Sequence, residues 1–154
     1  RMDEIDKKIL ELLQNNATLP LTELSKKVGI SSTPCWNRIK KMEEDGIIES
    51  KTTIINKDKI NLSIVIFLSI SISSHTEEWL DKFNKVIMKY DQIIEVDRLT
   101  GSSMDYMLKI VAPSINQYDE LQQKLIKELN FNKMSSSISL KQLKKTNILP
   151  LKFL

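Results

Sequence analysis

Apolar residues in the first third of the chain recur every three or four positions, and that spacing predicts helices. In "MDEIDKKILELLQNN", Ile5, Ile9, Leu12 and Leu13 fall on one stripe. "PLTELSKKVGI" is a shorter helix with Leu21, Leu24 and Val28 inward. Pro20 suits its start, where a missing N–H costs nothing, and Gly29 suits its end. A third helix begins at Ser31 or Ser32, whose hydroxyl can accept a bond from a free N–H of the first turn. It turns Cys35, Ile39 and Met42 inward and stops at Gly46. From Ile47 the β-branched "IIESKTTIIN" reads as extended chain, and the polar "KDKIN" reads as a hinge. The expected division is a helical domain over 1–56, a hinge over 57–61 and a second domain over 62–154.

Beyond the hinge the period switches between two and 3.6. "LSIVIFLSISIS" alternates Ile64, Ile66, Leu68, Ile70 and Ile72, the mark of a strand. "TEEWLDKFNKVIMKY" places Trp79, Phe83, Val86, Ile87 and Tyr90 on one helical face, with Thr76 as its N-cap. "QIIEVDRLTG" and "DYMLKIVA" are strands, "SINQYDELQQKLIKEL" is a helix, and "KMSSSISLKQLKK" is a last strand. The order β-α-β-β-α-β is the ferredoxin-like arrangement, so the chain as a whole is of the α+β class. Val65 and Phe67 lie on the strand face opposite the one its own two helices cover. They predict a second cover, most simply the sheet of a partner subunit.

Composition changes this picture little. Of 154 residues 41% are hydrophobic and 28% charged, as in a soluble globular protein, and the net charge is only +3. The longest apolar run is too short and too rich in serine to span a bilayer, so no membrane partner is expected. With one cysteine and one histidine no disulfide and no ordinary zinc set can form; a reducing, cytoplasmic setting follows, with neither metal nor cofactor. No histidine base lies near Cys35 in sequence, and no nucleophile pair or Gly-rich phosphate loop supports an enzyme, although Asp105 with Tyr106 could be an acid–base pair.

Charge becomes informative locally. Between Leu24 and Met42 stand Lys26, Lys27, Arg38, Lys40 and Lys41, with no acidic residue among them. Two short helices joined by the Gly-containing turn "VGISS", the second of them basic, describe a helix-turn-helix. With Cys35, Ile39 and Met42 inward, the outward positions are Ser32, Thr33, Trp36, Asn37, Lys40 and Lys41, with Arg38 towards the flank. Hydroxyls and free N–H groups at such a helix tip can hold phosphate, and amide and basic side chains can read base edges. These seven residues are the expected contacts to double-stranded DNA.

Four stretches carry a resemblance. "IDKKILELLQNNA", "ELSKKVGISSTPCWNRIKKMEEDGII", "LTGSSMDYMLKI" and "LKKTNILPL" resemble, in order, the opening helix, the turn and recognition helix, the effector loop and the closing strand of the leucine-responsive regulator/asparagine regulator (Lrp/AsnC) family of prokaryotic transcription factors. The resemblance implies a winged-helix-type DNA reader followed by a ligand-sensing, oligomerising ferredoxin-like domain. It also implies that the loop binds a free amino acid where dimers meet. That role falls on Thr100, Gly101, Asp105 and Tyr106, with Ser102, Ser103 and Met104 between them. Here the loop is one residue longer than usual, with Ser102 where an acidic residue is usual.

The expected function is a sequence-specific transcriptional regulator that responds to a small effector, with an amino acid as the expected class. It works as a dimer, with tetramers or octamers open. The alternative is an architectural, nucleoid-type DNA-organising protein of low specificity with no effector.

Overall fold

A reciprocal pair of hydrogen bonds starts the first helix. In the computed structural model, which describes residues 1–154, the Asp3 carboxylate caps α1 (Glu4–Asn15) by accepting from Asp6 N–H, and the Asp6 carboxylate accepts from Asp3 N–H. Two orphan donors are satisfied at once, and both carboxylates sit at the positive end of the helix dipole. α2 (Leu21–Val28) ends at Gly29, whose φ of 83° is left-handed backbone that a side chain would strain. α3 is Ser32–Glu44. Ile9, Leu24, Val28, Cys35, Ile39 and Met42 meet in one core. This is the stripe that helical spacing predicts.

The chain divides into two units, 1–54 together with 144–154, and 55–143. The closing segment therefore groups with the three helices. It holds no helix or strand, so the closing strand that the resemblance of "LKKTNILPL" implies is not formed within this chain. Instead its backbone is gripped by one side chain: Gln14 Nε2 donates to Leu149 O at 3.0 Å, and Leu149 N–H donates to Gln14 Oε1 at 2.9 Å.

In the second unit the segment read as a hinge forms a 3-10 turn, Lys57–Ile60, capped by the Asn56 side chain and closed by left-handed Asn61. There follow β1 (Ile64–Ser71), α4 (Glu77–Lys89), β2 (Ile93–Arg98), β3 (Tyr106–Ala112), α5 (Ile115–Glu128) and β4 (Lys133–Ile138). The sheet order is β2-β3-β1-β4, with every neighbouring pair antiparallel. This is the ferredoxin-like topology, and the chain is α+β as expected. Ile66, Leu68, Ile70, Leu108 and Ile110 pack from the sheet against Phe83, Val86, Tyr118, Leu121 and Leu125 of the helices.

On the other sheet face Val65 pairs with Val111 and Phe67 with Lys109. Val65 is already buried within its own chain, whereas Phe67 is half-buried. The apolar surface in want of a cover is therefore narrower than the two residues suggest, and it centres on Phe67.

Candidate DNA interface and effector loop

Burial sorts the seven residues expected on the DNA face. Thr33, Trp36, Asn37, Lys40 and Lys41 are exposed on α3, opposite its buried stripe. The ammonium of Lys40 lies 5.6 Å from the centroid of the Trp36 ring, a cation–π contact that holds the two side chains together. Lys41 is 3.4 Å from Asp45 across an exposed helical turn, a pair of little energetic weight. Ser31 is the N-cap, but its side chain makes no capping bond, and Pro34 in the first turn has no N–H to satisfy. The tip of α3 is left with backbone donors that no side chain covers.

Ser32 is placed differently from the outward reading, and Arg38 stands on the flank of α3, where spacing put it, turned towards α1. Ser25 donates its hydroxyl proton to Thr22 O at 3.0 Å, so the 3.3 Å contact between the Ser25 and Ser32 hydroxyls must use the proton of Ser32. Ser32 thus ties α3 to α2 inside the turn. Arg38 Nη1 donates to both oxygens of Asp3 at 2.8 Å and to Asp6 Oδ1 at 3.0 Å. The Asp3 carboxyl is held below the ordinary aspartate range, first by the Asp6 N–H and then by Arg38. The guanidinium is raised in turn by its bonds to Asp3 and Asp6. Cys35 is buried, and burial pushes its thiol up, away from the thiolate a nucleophile needs.

The loop between β2 and β3 is organised by its own side chains. Gly101 has φ 83°, and the Ser102 hydroxyl accepts from Met104 N–H at 2.9 Å while donating to Met104 O at 3.2 Å. Thr100, Gly101, Ser102 and Ser103 are exposed, and Met104 and Asp105 are half-buried. Tyr106 is buried: its ring lies 4.8 Å from Phe83 and 5.8 Å from Trp79, so it anchors the loop's end in the core. Asp105 stitches the loop to the end of β1. Its N–H donates to Ile70 O, and its Oδ2 accepts from Ile72 N–H, both at 2.8 Å.

The other Asp105 oxygen lies 3.7 Å from His75 Nε2. His75 is a neighbour that sequence reasoning missed. Ser71, just before the residue that binds Asp105, is buried with its hydroxyl unpartnered. The βαββαβ order offered a signal for both, because it brings the end of β1 beside the start of β3. No group of three or more His, Cys, Asp or Glu side chains gathers where a metal ion could be held.

Two families match the chain: winged helix-turn-helix DNA-binding over residues 2–49, and the Lrp/AsnC ligand binding domain over residues 65–149. The chain belongs to the Lrp/AsnC family of transcriptional regulators. It is 40% identical to the glutamate uptake regulatory protein of Zymomonas mobilis, over 98% of this chain and 92% of that one. An AsnC family transcriptional regulator from Agrobacterium tumefaciens has the same fold, with TM-score 0.93 and 40% identity over 99% of each chain. A transcriptional regulator from Neisseria meningitidis, solved as its complex with L-Met, superposes with TM-score 0.92 at 29% identity, again over 99% of each chain. Like these, this Lrp/AsnC regulator joins a DNA-binding helix-turn-helix to a ligand-binding α/β domain. None of its helices is long and apolar enough to cross a membrane.

The depressed Asp3 carboxyl has a pH consequence. A carboxylate held low in the folded state stabilises it above the unfolded value, and that contribution is lost as pH falls through the folded value. Acid unfolding should therefore be less steep below about pH 4 in Asp3→Asn than in the parent. Equal acid limbs in urea titrations at stepped pH would remove Asp3 from the account.

Proposed function

We propose that this Lrp/AsnC regulator reads operator DNA in the cytoplasm through the outward face of α3 and is tuned by an amino-acid-like effector held at the 100–106 loop. The observation that carries the DNA reading is the sorting of α3. Cys35, Ile39 and Met42 are buried on one side, and Thr33, Trp36, Asn37, Lys40 and Lys41 are exposed on the other. In this reading Thr33 and the open N–H groups take a phosphate, and Lys40 and Lys41 take phosphates further along. Asn37 reads a base edge, and Trp36 packs against sugar at the groove wall. A two-fold dimer would present two such helices to successive major-groove faces. Half-exposed Phe67 on the helix-free sheet face supports that assembly.

The effector reading rests on Asp105. One of its oxygens is fixed by Ile72 N–H, which aims the carboxylate, and its remaining lone pairs can accept from an ammonium. Left-handed Gly101 lets backbone N–H groups approach a ligand carboxylate. A relative that holds L-Met, and another named for glutamate uptake, support an amino acid as the ligand class.

Two measurements test these halves. Lys40→Ala and Lys41→Ala should each weaken binding to all duplexes and lower the slope of log affinity against log salt by about 1. Parent-like slopes in both would move the phosphate contacts off α3. Calorimetry against the twenty amino acids, on protein freed of carried-over ligand, should show binding to at least one. Asp105→Ala should weaken it about tenfold or more, the loss of one charge-assisted bond. Undiminished binding by that variant would place the ligand elsewhere.

A further inference from the structure

We propose that Arg38 serves DNA recognition as a positioning residue, clamping the recognition helix to the start of α1, and carries no phosphate itself. The inference rests on the DNA-reading face assigned to α3 above. Apolar burial is non-directional, and the inner stripe of α3 is only Cys35, Ile39 and Met42, so burial sets which face of the helix is inward while bonds at its flanks set its exact tilt. Directional bonds hold its two flanks. On one flank Ser32 meets Ser25 of α2; on the other Arg38 meets Asp3 and Asp6 of α1.

The clamp is anchored firmly. Asp3 and Asp6 are the two members of the α1 capping box, so the guanidinium holds groups whose positions backbone N–H bonds already fix. The Asp6 side chain is only 13% exposed. Electrostatics argues against a phosphate role for Arg38, because two carboxylates against one guanidinium leave the cluster with a net negative charge. The same cluster lines a cleft of about 420 Å³ whose wall includes Asn37 and Lys41. A change in the angle between α3 and α1 therefore displaces the residues assigned to base and phosphate.

The test turns on a sign. In the full-length double variant Asp3→Asn, Asp6→Asn each side chain keeps its shape, and asparagine caps a helix about as well as aspartate. Removing two negative charges beside DNA should tighten binding if charge alone matters. The positioning role predicts the reverse on a pool of random-sequence duplexes: binding weaker by about tenfold, the scale of one lost charge-assisted bond. Base preference among the recovered sequences should flatten, and the salt slope should stay that of the parent.

Arg38→Gln should match the double variant in affinity and preference, again with unchanged slope. Tighter binding by the double variant overturns the proposal. So does a slope lower by about 1 in Arg38→Gln, the mark of a lost phosphate contact. The isosteric double variant keeps the test readable if Arg38→Gln does not fold. A parent that selects no sequence would count against the operator-reading function, while the sign of the affinity change would still decide the role of Arg38.

Discussion

The burial of one stripe of α3 is the constraint on which the DNA-reading half of this regulator depends. A helix turns by about 100° per residue, so fixing Cys35, Ile39 and Met42 against α1 and α2 fixes every other position of the helix as well. Thr33, Asn37 and Lys40 fall opposite the stripe, with Trp36 and Lys41 on its outer shoulders. Ser32 and Arg38 fall one step from the buried edge, too close to it to face outward. Each therefore meets a neighbouring helix. The same periodicity that exposes one face of α3 supplies the two bonds that hold the helix.

A parallel logic builds the ligand-binding half. The antiparallel pairing of β1 with β3 places the end of one beside the start of the other, Ile70 opposite Tyr106. The loop after β1 and the loop before β3 must then lie side by side, and Asp105 joins them through Ile72 N–H. Tyr106 pins the end of the loop into the Trp79–Phe83 aromatic cluster. The loop is thus polar and exposed at its tip and held at its base by the sheet and the core.

Much of this was legible in the sequence, for a physical reason. Helical stripes, strand alternation and caps such as Thr76 are local, and the element order limits the sheet to few topologies. The buried stripe of α3 and the exposure of Thr33, Trp36, Asn37, Lys40 and Lys41 followed from spacing, whereas the inward turn of Ser32 did not. What sequence did not carry were bonds made across long separations. Arg38 finds Asp3 and Asp6 more than thirty positions away, and the direction of its side chain depends on the docking of two helices. Gln14 grips the backbone of Leu149, a contact with no side-chain pattern to betray it. Tyr106 stands at the start of the predicted strand "DYMLKIVA" although the resemblance gave it a role in the loop, and strand alternation turns it to the helix-covered side with Leu108 and Ile110.

The central claim, that the outward face of α3 is the surface that meets DNA, is tested most directly by Trp36. It is exposed on that face, and the chain's other tryptophan, Trp79, belongs to the second unit. In a Trp79→Phe variant Trp36 is the sole indole emitter. Duplex DNA added to that variant should change its emission and shield it from acrylamide, along the same curve as binding followed by mobility shift. If binding saturates while Trp36 keeps its emission and its access to acrylamide, the DNA lies on another surface and the reading is contradicted.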